Sequence, residues 1–344
     1  MRVWCVSFTA RGAGLCRKVI RVMTEDGYEC QGFAMPRDAA DGLFPLKEGI
    51  NAWTEKAFQN AQIIVFIGAC GIAVRAIAPY LKDKFLDPAV VSIDEFGQFV
   101  IPLLSGHVGG ANSCAVYLAG RLKATPVVST ATDLNGCFAV DRFASEYHLY
   151  LSDRDIAKEV SVALLRRETV FLKNEFPDRY SISLFPGLVC SDFGKLGILI
   201  SLSDVKKPFE RTLTLIPKQI SVGIGCKKET AFEMIESAVQ CALAAADISI
   251  HAVKCVRSVS LKAEEPGILK FCERYGVPFL TDSPEVLNQL EGEFSPSEFV
   301  QKVVGIDNVC ERSAVSGGGK LLLKKQKYPS VTVAIALEEE RTPI

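Results

Sequence analysis

The chain has 344 residues, with 39 Lys and Arg against 40 Asp and Glu, a net charge of −1, and is 49% hydrophobic. That length exceeds one ordinary domain, and the apolar content lies far from the disordered regime, so several packed domains are expected. A near-zero charge excludes a general polyanion binder, because no global positive field would gather phosphates, and no nucleic-acid partner is expected.

Residues 2–8 read as a strand, 9–14 as a loop with two glycines, and the stretch to Met23 as a helix, which makes a βα unit. The N-terminus runs directly into this strand rather than into a signal sequence, and no apolar run approaches the roughly 20 residues that span a bilayer. A cytoplasmic protein without membrane association is therefore expected. A second strand is predicted at 29–35, a helix at 50–60, and a strand at 63–67 whose unbroken apolar run fits burial on both faces of a parallel sheet. That strand ends in Gly68-Ala-Cys-Gly71, after which Ile72, Val74, Ile77, Ala78 and Leu81 form a helical apolar stripe. Strands at 90–93 and 98–101 flank the turn 94–97 as a hairpin. A Gly-rich loop at 105–110 leads into a helix ending near Lys123, and 126–129 reads as another short strand. This alternation predicts an α/β domain with a largely parallel sheet over residues 1–133.

From 134 to 218 the pattern changes to short apolar segments, at 170–172, 182–184, 198–202 and 212–216, with one helix near 155–167. A smaller α+β middle domain is expected there. A third domain, 219–344, again α/β, opens with a strand, glycine loop and helix at 220–246. It continues with a strand at 256–261, a helix at 266–275, a strand at 277–280 and a terminal strand at 331–337.

Twelve cysteines are dispersed, the nearest pair being Cys5 and Cys16, and His107, His148 and His251 stand far apart. No CxxC or histidine pair at ligand spacing occurs, so a protein-bound metal site is not expected and the thiols read as reduced core residues.

Five segments carry candidate chemistry. In the 104–112 loop, LSGHVGGAN, His107 is the first catalytic candidate, since imidazole exchanges protons near neutrality and strand-end loops of open α/β sheets collect ligands. Capping of the following helix is the plain alternative. Asp94 and Glu95 form an acidic pair beside Gly97, where turn chemistry competes with catalysis. Gly223 and Gly225, followed by Lys227 and Lys228, read as a strand-to-helix turn offering N–H groups and cations to an anion, or as a plain tight turn. Residues 261–267, LKAEEPG, gather Lys262 and Glu264 at a strand end or helix entry. The run Ser316-Gly-Gly-Gly-Lys320 lacks phosphate-loop spacing and reads as a flexible turn.

Segments 66–79 (FIGACGIAVRAIAP), 82–84, 87–90, 104–112, 124–126 and 130–133 together resemble the N-terminal domain of the CbiG family of cobalt-precorrin-5A hydrolases. Segments 222–226, 261–267, 276–278, 297–300, 309–311 and 331–336 resemble that family's C-terminal domain. Two positions depart from the family's usual residues. Cys70 replaces a small residue or threonine, and Lys227 and Lys228 replace arginines, which keeps charge but loses the planar fork.

The resemblance implies a hydrolase of anaerobic cobalamin biosynthesis. It would open the δ-lactone of a cobalt-bound, multiply carboxylated corrinoid, acting on a carbon–carbon bond of a ketonic substance and releasing the C20 fragment as acetaldehyde. Cobalt would arrive with the substrate, and no protein-bound cofactor is expected. A noncatalytic corrinoid carrier and a nucleotide-dependent α/β enzyme remain the alternatives. The resemblance itself assigns no catalytic residue. The chemistry suggests His107 as general base, with Asp94, Glu95 and Glu264 as acidic candidates and N–H groups near Gly109 and Gly110 facing the oxyanion. Gly68, Gly71, Arg75, Ser105, Asn112, Gly223 and Gly225 are expected to line the substrate, with Lys227, Lys228 and Lys262 on its carboxylates. Given the macrocycle's breadth, the first and third domains are expected to face each other across it. A homodimer and a transient handover to neighbouring pathway enzymes are left open.

Overall fold

The computed structural model describes residues 1–338 except 84–85, 131–136, 181, 183–184, 298–300, 302–304 and 306. Lys84, the 131–133 part of the motif at 130–133, the 183–184 end of the predicted strand at 182–184, and 298–300 lie outside the described residues. The chain divides into two compact units, Met1–Ser145 with Leu164–Arg167, and Glu146–Ala163 with Glu168–Ile344.

In the first unit, strands β1 (Arg2–Ser7), β2 (Glu29–Ala34), β3 (Phe44–Pro45), β4 (Ile63–Ile67), β5 (Ala89–Ile93), β6 (Phe99–Leu104) and β7 (Thr125–Pro126) form one sheet in the order β3-β2-β1-β4-β5-β6-β7. The first five run parallel. β6 turns back antiparallel on β5, and β7 follows β6. Every residue of β4 is buried, as its unbroken apolar run requires, because helices cover both faces of the sheet. Helices α1 (Ala10–Glu25) and α4 (Ala111–Leu122) pack on Val3, Cys5, Val65 and Ile67. Helices α2 (Gly49–Asn60) and α3 (Cys70–Ile77) pack on Val6, Ile64 and Phe66. The unit is a doubly wound α/β sheet, as the alternation predicts. Helix α5 (Val140–Glu146) follows it in sequence.

The second unit holds helix α6 (Arg154–Leu165) as far as Ala163 and two sheets. One contains β8 (Tyr150–Leu151), β9 (Val170–Asn174), β10 (Leu188–Cys190), β11 (Gly194–Ile200) and β12 (Phe209–Ile216) in the order β10-β9-β11-β12-β8, parallel except for β8. The other contains β13 (Ile220–Cys226), β14 (Val253–Val259), β15 (Phe279–Asp282), β16 (Gly319–Tyr328) and β17 (Val331–Glu338) in the order β15-β14-β13-β17-β16. Helices α7 (Phe232–Ala245) and α8 (Pro266–Tyr275) bury one face of that sheet through Phe232, Ile235, Val239, Ile268 and Phe271. After the short α9 (Pro284–Asn288), helix α10 (Cys310–Val315) covers the other face, with Cys310 and Ala314 on Ala334 and Ala336. The two sheets meet through Ile216 in the second core, the Gln219 amide donating to Tyr180 Oη at 3.1 Å, and Tyr150 stacked on His251 at 3.5 Å.

All twelve cysteines are free, and burial pushes the Cys114 and Cys272 thiols up to about 12, which keeps them protonated and unreactive. Among the described residues no helix is long and apolar enough to cross a membrane.

The last strand also contains an acid-sensitive joint. Burial pushes the Glu338 carboxyl up, but the Lys254 ammonium at 2.8 Å, the Cys255 thiol and the Arg257 guanidinium outweigh it and hold the group below the usual carboxylate range. A depressed folded value stabilises the fold above the unfolded glutamate value of about 4.3, and that contribution is lost as pH falls through the folded value. Thermal midpoints should therefore fall on acidification below about pH 4.3, and Glu338→Gln should flatten that limb. An unchanged slope in the variant would remove Glu338 from the acid response.

Candidate active site

The connection leaving β1 runs through α1 to β2 on one side, while the one leaving β4 runs through α3 to β5 on the other. Where adjacent connections diverge, a crevice opens at the carboxyl ends of the strands. A cavity of about 300 Å³ occupies this point, lined by Phe8, Thr9, Ile67, Gly68, Ala69, Ile72, Asp94 and Glu95. Its floor is apolar and its wall carries a carboxylate.

Local conformation makes the cleft. Gly68 has φ +150°, a conformation L side chains rarely adopt, and its N–H donates to Ile93 O at 2.8 Å, so the chain bends over β5. Ala69 caps α3 with no side-chain acceptor, so the Cys70 and Gly71 N–H groups have no partner within the helix. These donors and the positive end of the helix dipole suit a developing oxyanion. Cys70 Sγ lies 3.5 Å from Ser92 Oγ, and Arg75 is exposed and folds back onto Gly71 O at 3.3 Å.

The acidic pair separates into two roles. Asp94 accepts the backbone N–H of Phe96 at 2.8 Å on one oxygen and those of Gln98 and Phe99 at 2.8 and 2.5 Å on the other. It lines the cleft and fixes the hairpin turn through three backbone N–H groups, a structural role that accounts for its place beside Gly97. Glu95 is half-buried in the cleft wall and accepts the Thr9 hydroxyl at 2.7 Å. Thr9, Phe8, Ala69 and Ile72 are lining residues that the sequence reading missed. The only available signal was a threonine immediately before a helix, which marks a cap and no more.

His107 lies elsewhere. Because β6 runs antiparallel, its carboxyl end, and with it the 105–110 loop, lies at the amino-terminal edge of β5. Ser105 Oγ donates to Asp87 O at 3.0 Å, and a Cβ on Gly109 would stand 3.3 Å from Ala89 N. β5 spans five residues, about 13 Å from first to last, so the loop and Glu95 occupy opposite edges of the sheet. The expectation that this loop sits where open sheets collect ligands is thereby corrected. Within it, the Gly110 N–H donates to His107 O at 3.2 Å rather than being held ready for an oxyanion. Asn112 Nδ2 donates to Thr130 Oγ1 at 2.9 Å.

In the second unit the glycine pair is not a turn. Gly223 and Gly225 lie inside β13, paired to Ala334 and Thr332 of β17, and helix α7 starts only at Phe232. Glycine is needed at 223 because a Cβ there would stand 1.9 Å from Cys310 O and 2.7 Å from Ala314 N. Lys227 and Lys228 are exposed beyond the strand end. At the same edge Lys262 is paired to buried Glu265 at 2.8 Å, and Glu265 also accepts the Thr230 N–H at 3.1 Å. Lys262 therefore braces the helix entry, and Glu264 is exposed beside it. Burial raises the Cys226 thiol, and nearby Lys262 partly opposes this.

The chain is an α/β protein with a carboxylate-lined cleft at the switch point of a doubly wound sheet, the place where open α/β sheets collect ligands. Two family models match this chain, the Cobalamin synthesis G N-terminal model over residues 52–133 and the Cobalamin synthesis G C-terminus model over 220–336. The cobalt-precorrin-5A hydrolase of Salmonella typhimurium is 36% identical over 86% of this chain and 88% of its own length. That of Priestia megaterium is 30% identical over 96% and 94%. A cobalamin biosynthesis protein G homolog from Sulfolobus solfataricus, known from a crystal structure, aligns at TM-score 0.43 and 23% identity over 98% of this chain and 97% of its own. The chain belongs to the CbiG family.

Proposed function

We propose that this chain is a cobalt-precorrin-5A hydrolase and that the cleft between β1 and β4 opens the lactone. Support for the activity comes from the curated relatives of that name, which match along nearly their whole length. The single observation that carries the site is a cavity of about 300 Å³ lined by Glu95 on one wall and by Ala69 and Ile72 at the start of α3. That volume admits one edge of a macrocycle, with the remainder outside.

In this reading Glu95 takes a proton from water as the oxygen attacks the lactone carbonyl, and the Cys70 and Gly71 N–H groups stabilise the oxyanion. Collapse cleaves the acyl–oxygen bond and leaves a carboxylate and a free hydroxyl. That hydroxyl gives its proton to a base and becomes the carbonyl of acetaldehyde as the C–C bond joining the bridge carbon to the macrocycle breaks and its electron pair passes into the conjugated cobalt ring. Cobalt enters as part of the substrate, and the steps assigned to the protein need no bound cofactor. In ¹⁸O-labelled water one label should appear in the new carboxylate of the product by mass spectrometry. Label confined to acetaldehyde would exclude attack at the acyl carbon.

A second reading places the base at His107. It is favoured by the backbone of its loop, where Ser105 has φ +54°, a strained conformation of the kind that clusters at functional sites. The two edges cannot serve the same water, so variants at Glu95 and His107 separate the readings.

A further inference from the structure

We propose that Thr9 is a positioning residue that aims the Glu95 carboxylate into the cleft. The proposal rests on Glu95 being the base. Thr9 caps α1 with φ −133° and ψ 161°, and its oxygen accepts the Gly12 N–H at 3.0 Å. A hydroxyl has a single proton, and with a lone pair directed at Gly12 that proton goes to Glu95 Oε1, 2.7 Å away. The donor is stiff, because threonine is β-branched at the torsion that places Oγ1.

The bond joins residues 86 apart in sequence, one in the loop leaving β1 and the other in the turn leaving β5. Both line the cleft. Asp94 already fixes the backbone of that turn through three N–H groups. The remaining freedom of Glu95 is its own side-chain rotation, which the Thr9 proton biases toward the rotamer that meets it. Holding a base at its reacting distance affects turnover rather than substrate affinity.

The test compares Thr9→Val, which keeps shape but has no hydroxyl, Thr9→Ser, which restores it, and Thr9→Asp, which caps a helix but cannot donate. With the cobalt-bound lactone as substrate, kcat should fall about 10- to 100-fold in the valine and aspartate variants. KM should change less than about threefold, and serine should restore most of the turnover. In a Glu95→Gln background, Thr9→Val should cost nothing further. Full turnover in Thr9→Val, or an equal loss from it in both backgrounds, overturns the positioning role. If Thr9→Val is too unstable to assay, full turnover in a stably folded Thr9→Asp protein overturns it equally. Near-normal turnover in Glu95→Gln alone would instead overturn the base assignment beneath it.

Discussion

Glu95→Gln is expected to lower turnover at least ~100-fold while leaving the fold and substrate affinity intact. The substitution is nearly isosteric. Glutamine Oε1 can still accept the Thr9 hydroxyl, so the α1 cap and the wall of the cleft survive. Asp94 holds the adjoining turn independently. What disappears is the ability to accept a proton from water, and the loss should appear in kcat with KM little changed. His107→Ala, on the opposite sheet edge, should leave more turnover than Glu95→Gln. The reverse ranking, with the glutamine variant within about threefold of wild type, would move the chemistry to the 105–110 loop.

The second large effect is on stability. Gly223→Ala should destabilise the second unit by about 3 kcal/mol or more, at the upper end of overpacking costs, because both obstructing atoms at Cys310 O and Ala314 N are backbone. Helix α10 would have to lift from β13 and open the contacts of Cys310 and Ala314 with Ala334 and Ala336. For a unit of this size the midpoint should drop by roughly 6–12 °C. Gly120→Ala supplies the control, since its added Cβ meets nothing within 4 Å in the last turn of α4 and should be neutral or slightly stabilising. If Gly223→Ala melts with the wild type, glycine at 223 is there for another reason, and contact with substrate regains its place.

Much of the fold was legible because burial writes itself into composition. The unbroken apolar run of β4 could only be a strand covered on both sides. The stripe at Ile72, Val74, Ile77, Ala78 and Leu81 misled, because α3 ends at Ile77 and its buried face is Ala73, Ala76 and Ile77, which leaves Ile72, Val74, Ala78 and Leu81 exposed. The α/β alternation gave the class of both end regions. Sheet order was not legible, and the site depends on it. Nothing in residues 2–8 or 63–67 says that β1 and β4 are neighbours whose connections diverge, so Thr9 and Ala69 could not be recognised as two walls of one cleft. The hairpin at 94–97 is readable, but its consequence for His107 needs the sheet. A strand that reverses carries its following loop to the other edge. At 223–228, glycines and lysines in the order of an anion-binding turn disguised a strand pressed against a helix. Glycine is required both for tight turns and for close packing, and a single sequence does not tell the two apart.

The most direct test supplies purified chain, without added cofactor, with the cobalt-bound lactone precursor and traps volatile aldehyde as it forms. The account predicts one equivalent of acetaldehyde per corrinoid converted, together with the ring-opened acid. Tight binding of the corrinoid with its lactone intact and no aldehyde released would contradict it and leave a carrier in place of an enzyme.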